Sequence, residues 1–129
     1  MGEYASLLRL DKRLKAILDD VRVAHGLRSL LLADRKGLAV SHVGDIADAG
    51  VAAIAPEFLR VGERAVRLGG YGDMSCVAMV LENSHLMIIR DIELRGEPFV
   101  LVMETTSVPK GLGRVIRDLA ARLERAMND

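Results

Sequence analysis

The chain has 129 residues, half of them apolar but only 3% aromatic and none Trp, so its core has to be built from Leu, Val, Ile, Ala and Met. Eighteen basic residues balance eighteen acidic ones, which leaves no overall field to draw the chain to nucleic acid or to an anionic membrane; charged recognition has to be local. The single cysteine, Cys76, cannot form an internal disulfide, which fits a cytoplasmic setting.

Charged residues Arg9, Asp11, Lys12 and Arg13 interrupt the leucines near the start, and no apolar run reaches the ~18 residues of a membrane span. Neither a signal peptide nor membrane insertion is expected. No linker, repeat or low-complexity stretch divides the chain, so residues 1–129 read as a single domain. Leu7, Leu10, Leu14, Ile17, Leu18 and Val21 recur at helical spacing and predict a first helix from Tyr4 to His25, with Gly26 as its left-handed stop. Asp11, Asp19 and Asp20 dilute its basic face, which favours a core stripe over an interfacial membrane anchor.

A hairpin follows. Leu30-Leu31-Leu32-Ala33 and Leu38-Ala39-Val40-Ser41 flank Asp34-Arg35-Lys36-Gly37, where Asp opens and Gly closes a type I turn with a glycine bulge. Asp45 then reads as the N-cap of a long helix from Asp45 to Leu68. Pro56 lacks an amide and crowds the preceding turn, so the helix either kinks or breaks there. Gly69-Gly70-Tyr71-Gly72 ends it.

This helix is apolar over roughly 180° of its circumference, where a helix lying on one core needs roughly 100°. Ile46, Gly50, Ile54, Val61, Ala65 and Leu68 form one stripe, and Val51, Ala55, Leu59, Gly62 and Val66 form the next, with Phe58 between. Two partners are implied: the protein's own sheet and a second copy of the helix. Ala55, Leu59, Gly62 and Val66 are expected at the contact between copies, because small residues allow close approach, with Ile54, Phe58 and Val61 on the sheet. The polar side carries Arg60, Arg64 and Arg67 at i, i+4 and i+7. These form either a solvated face with Arg60 to Glu63 and Glu63 to Arg67 pairs or a docking ridge for an acidic partner.

The second half reads as three strands, Met74 to Glu82, His85 to Leu94 and Phe99 to Glu104, joined by turns at Asn83-Ser84 and near Gly96. Val77 to Leu81 and Val100 to Met103 do not alternate, so the sheet is covered on both faces. Asp91 and Glu93 alternate with Ile92 and Leu94, which marks one solvated end. Ser107 caps a last helix from about Pro109 to Met127, whose Leu112, Val115, Ile116, Leu119 and Leu123 point inward. The strand from Ser75 to Leu81 has no Lys or Pro to discourage pairing, and an apolar edge of that kind calls for a partner. Ser75, Val77, Met79 and Leu81 are therefore expected at a homodimer contact.

Signs of chemistry are few. His25, His42 and His85 have no further ligand at metal spacing and read as surface or capping residues. Cys76 lies in an apolar strand and reads as an inert buried thiol. Pro109-Lys110-Gly111 lacks the spacing of a phosphate-binding loop, and Glu93 and Glu97 flank a turn as solvated carboxylates. No catalytic residue, metal ligand or cofactor site is expected, and the chain does not read as an enzyme.

The order helix, hairpin, helix, three-stranded meander, helix resembles the roadblock / dynein light-chain family, which includes the MglB-like proteins. Leu30 to Val40 followed by the Ala-rich helix, Cys76 to Leu81, and Leu86 to Ile89 carry the resemblance. It implies an α+β domain with a five-stranded antiparallel sheet, the long helix on one face and the terminal helices on the other. It further implies homodimers that pair their third strands and long helices, and binding or regulation of Ras-like small GTPases. A structural adaptor of a larger assembly, or a PAS- or profilin-like ligand-sensing domain, are the competing readings.

Overall fold

The computed structural model describes residues 2–128, so the two ends of the expected 1–129 domain lie outside the described residues. In chain order the elements are α1 (Gly2–Ala24), β1 (Ser29–Asp34), β2 (Ala39–Gly44), α2 (Asp48–Gly69), β3 (Val77–Val80), β4 (Leu86–Leu94), β5 (Glu97–Thr105) and α3 (Leu112–Asn128). The strands form one sheet in the order β2-β1-β5-β4-β3, and each adjacent pair is antiparallel. α2 covers one face and α1 with α3 covers the other, as the resemblance implied.

The unbroken apolar runs in the strands follow from this two-sided cover. Leu30, Leu32, Leu101 and Met103 point to α1 and α3, where they meet Leu14, Leu18, Val21, Ile116, Leu119 and Leu123. Leu31, Ala33, Val100 and Val102 point the other way, onto Ala52, Ala55 and Leu59 of α2. Alternate residues of a strand face opposite sides, so each run supplies two cores. α3 shows the expected one-sided pattern, with Val115, Ile116, Leu119, Leu123 and Ala126 buried, and α1 buries Leu14, Leu18 and Val21 of its expected stripe but leaves Leu7 60% exposed, beyond the end of the core.

Turn chemistry sets the connections. Gly37 has φ +93, and the Asp34 carboxylate accepts the amides of Lys36 (2.9 Å) and Leu38 (3.0 Å), so the β1–β2 turn closes as its residues require. The Gly37 amide donates to the Asp34 carbonyl and the Asp34 amide to the Leu38 carbonyl, the pairing of the expected glycine bulge, and a second irregularity between Leu32 and Ala33 leaves Val40 without a partner in the register. Gly44, at φ +88, ends β2 where a Cβ would strike the backbone of Arg28 and Ser29, so no other residue fits.

Two expected caps are displaced. α2 starts at Asp48, with Ala47 in the capping position and no side-chain hydrogen bond there, so Asp45 is not the N-cap. β2 extends to Gly44, and Asp45 to Ala47 are spent crossing from the sheet to the helix layer, with Ile46 packed on the α2 side. Asp48 supplies the negative charge of the first turn instead. Ser107 does not cap α3 either, because Gly111 adopts φ +66 and a left-handed residue cannot lie inside a right-handed helix. The helix begins at Leu112, and Gly111 O accepts the amides of Arg114 and Val115.

Pro56 does not break α2, which runs continuously from Asp48 to Gly69 with the proline ring buried. The Ala52 carbonyl loses its amide partner at that point, a cost of roughly 3 kcal/mol in an isolated helix, which burial of the ring offsets. Gly70, at φ +68, closes α2, and its amide and that of Tyr71 reach back to the Arg67 and Val66 carbonyls.

Candidate interaction surface

The strand order leaves β2 and β3 as the two edges of the sheet. At the β2 edge, α1 packs across the strand and Lys15 Nζ donates to the His42 carbonyl at 3.0 Å, occupying one of its backbone groups. At β3, no side chain among the described residues hydrogen bonds to the backbone of Val77–Val80. Its side chains divide by face: Val77 and Met79 pack under α2, whereas Ala78 and Val80 are turned away from it, Val80 with 78% of its surface exposed.

β3 is shorter than expected, so Ser75 and Leu81 fall outside it. Met74 tucks beneath α2 beside Gly62 instead of extending the ladder, and the Leu81 amide opens the turn to β4 by donating to the His85 carbonyl. Of the four strand residues expected at a contact between copies, Val77 and Met79 are half-buried in the protomer's own core, Ser75 is exposed and Leu81 is half-buried.

α2 reverses the expected division of its stripes. Ala55 and Leu59 have no exposed surface and pack on the sheet, and Gly62 and Val66 continue that line. Ala55 and Leu59 therefore cannot touch another copy, whereas Gly62 and Val66 are half-buried. The outward stripe is Ile54, Val61, Ala65 and Leu68, with Ile54 48%, Val61 61% and Leu68 81% exposed. The physical reason is closeness of approach: small Ala52, Ala55 and Gly62 let the helix settle on the sheet, and a Cβ at Gly62 would lie 2.7 Å from Val77 Cγ2. Phe58 sits between the stripes and packs against the α2-side core.

Helix geometry orients this stripe. Gly62 faces Met74 and Val77, whereas Glu63, one residue on, turns towards the β1–β2 hairpin and lies 3.8 Å from Arg35. At about 100° per residue, Ile54, Val61 and Ala65 fall on the Gly62 side. The apolar stripe therefore overhangs the β3 edge, and the arginines lie towards the opposite flank.

Arg60, Arg64 and Arg67 are all exposed. Arg60 pairs with Glu57, not with Glu63, and Glu63 is drawn to Arg35, so the expected Arg60 to Glu63 and Glu63 to Arg67 pairs do not form. Among the described residues Arg64 and Arg67 have no ion-pair partner. Such exposed pairs contribute about 0–1 kcal/mol, so the ridge remains available to a partner.

Two clusters escaped sequence reading because their members are distant in the chain. Arg35 bridges Asp91 of β4 and Glu63 of α2. His85 Nδ1 lies 2.8 Å from Glu104 Oε2, Arg28 Nε reaches the same oxygen at 3.2 Å, and Asn83 Oδ1 accepts the His85 amide. The pairing of Met87 with Glu104 and of Ser29 with Glu104 brings these groups together. Both are ion-paired staples between elements. Among the described residues no three His, Cys, Asp or Glu side chains are arranged to hold a metal ion. Cys76 is half-buried against the core beneath α1 and α3. His25 is exposed and His42 Nδ1 lies 3.5 Å from Asp48. No described helix is long and apolar enough to cross a membrane.

Similar architectures occur in solved structures. The gliding protein MglB of Thermus thermophilus is 17% identical, with 92% of this chain and 91% of that one covered at a TM-score of 0.68. Myxococcus xanthus MglB is 16% identical, with 91% and 89% covered and a TM-score of 0.68. A Roadblock/LC7 domain from Streptomyces avermitilis is 21% identical, with 89% and 98% covered and a TM-score of 0.65. Comparison with curated proteins gives no match. The Roadblock/LC7 domain family model matches residues 14–103, from the middle of α1 through β5, and the chain belongs to that family.

Proposed function

We propose that this protein is a non-enzymatic homodimer that acts in the cytoplasm as a regulatory platform for a Ras-like small GTPase. The observation that carries the reading is the outward stripe of α2, Ile54, Val61, Ala65 and Leu68, overhanging the unblocked β3 edge. A second copy related by a two-fold axis covers both at once, extending the sheet through β3 and burying the stripe against its mate. Family membership and the resemblance to GTPase-regulating roadblock proteins support the choice of partner.

In such a dimer the arginine ridges lie on the outer flanks of the joined helices. Phosphoryl transfer in a GTPase is accelerated by positioning and charge neutralisation. Arg60, Arg64 and Arg67 stand on a regular helix, whose backbone cannot enter a deep nucleotide site as a loop can. Their role is to brace the GTPase's mobile segments from outside. Replacing all three by Ala should weaken binding to the cognate GTPase roughly tenfold or more, while turnover at saturating regulator is kept. Lost turnover at saturation would overturn the bracing mechanism, and unchanged affinity would remove the ridge from the interface.

A further inference from the structure

α2 contains a weak point of its own. Pro56 stands inside the Asp48–Gly69 helix and leaves the Ala52 carbonyl without an amide, and bends sharper than about 20° in helices are almost always found at such a residue. The segment before it, Asp48 to Ala55, has little to hold it in line. Ala47 provides no side-chain cap, Gly50 is exposed, and the buried side chains of the segment are the small Ala52 and Ala55.

The β1–β2 hairpin supplies the missing support. Gly37 backs onto the helix where its ladder is broken: a Cβ there would lie 3.2 Å from Ala53 Cα and 3.4 Å from the Ala52 oxygen, so the turn comes this close only because it has no side chain at that point. In β2, His42 Nδ1 lies 3.5 Å from Asp48 Oδ2 at the start of the helix. Two residues before Gly37, Arg35 reaches past the proline to Glu63, 3.8 Å away, and is anchored on the sheet by Asp91. Each contact is weak alone, but one hairpin grips α2 on both sides of Pro56.

We propose that the β1–β2 hairpin is a conformational clamp that holds α2 straight across Pro56 and thereby sets how tightly two copies pair. The link to pairing rests on the dimer proposed above. Gly50 and Ile54 precede the proline on the outward face, and Val61, Ala65 and Leu68 follow it. A second copy lies along all of them only while the two halves of the helix stay in line. Arg35 meets α2 on the Glu63 side, away from that face, so it acts on the contact without touching it.

A double-substitution cycle in the full chain tests this. Arg35→Ala should speed hydrogen exchange of the Ala52–Ala55 amides roughly threefold to tenfold, leave those of Ala65–Leu68 unchanged, and raise the dimer dissociation constant by a similar factor in sedimentation velocity. Pro56→Ala returns an amide to the Ala52 carbonyl and removes the need for a clamp. In that background Arg35→Ala should leave both readings nearly unaffected. Gly37→Ala and Gly96→Ala each place a side chain at positive φ, +93 and +77, but only the first meets α2, so only the first should disturb the Ala52–Ala55 amides. Equal losses in both backgrounds, or unchanged exchange after Arg35→Ala, would overturn the clamp. Exchange that follows the cycle in a chain that never pairs would support the clamp and count against the dimer, whereas a dimer whose dissociation constant ignores the cycle would overturn the link to pairing.

Discussion

The two edges of the sheet differ in how they are finished. β2 is six residues long, lies under α1, and has its His42 carbonyl occupied by Lys15 Nζ. β3 is four residues long, has no side chain among the described residues on its backbone, and lies beneath an exposed apolar stripe. An open strand edge is a hazard unless something occupies it. The protein removes that hazard at one edge with its own helix and lysine, and at the other leaves both an unpaired ladder and the apolar surface to cover it. The contrast supports the proposal that a second copy covers β3.

Substitutions sharpen the contrast in order of expected effect. Leu59→Ala removes a side chain with no exposed surface and should cost about 2–5 kcal/mol of stability, read by urea denaturation at fixed protein concentration. Loss of association with stability kept would return Leu59 to the interface. Val61→Glu with Leu68→Glu places charge on the outward stripe. It should raise the dimer dissociation constant by roughly a hundredfold or more, about 3 kcal/mol, in sedimentation velocity, with little change in fold. Gly62→Val forces a branched side chain against Met74 and Val77 and should destabilise by about 1–3 kcal/mol, first seen as weaker protection of β3 in hydrogen exchange. Lys15→Ala unblocks the other edge. It should cost about 1 kcal/mol and raise aggregation on heating, which light scattering follows.

The sequence pattern carried most of the architecture because it was redundant there. The non-alternating runs at Leu30–Ala33 and Val100–Met103 require cover on both faces, and Asp34 with Gly37 admits few turns. The orientation of α2 was not legible. Both of its stripes are apolar, and the choice between them rests on how closely Ala52, Ala55 and Gly62 let the helix approach Val77 and Met74, a tertiary fit with no local signal. Asp45 and Ser107 have cap chemistry, but Gly44 and Gly111, both with positive φ, decide where the chain turns. The Arg35 and His85 clusters depend on strand register, which brings together residues far apart in sequence.

The central claim is that the β3 edge and the outward stripe of α2 are covered by a second copy, and hydrogen exchange against protein concentration tests it most directly. The outward amides of Val77–Val80 should slow as concentration rises through the dimer dissociation constant, in step with the molar mass from light scattering, while those of Ala39–Gly44 stay unchanged. Exchange at β3 that is indifferent to concentration, with a molar mass that stays at one chain, would contradict the account.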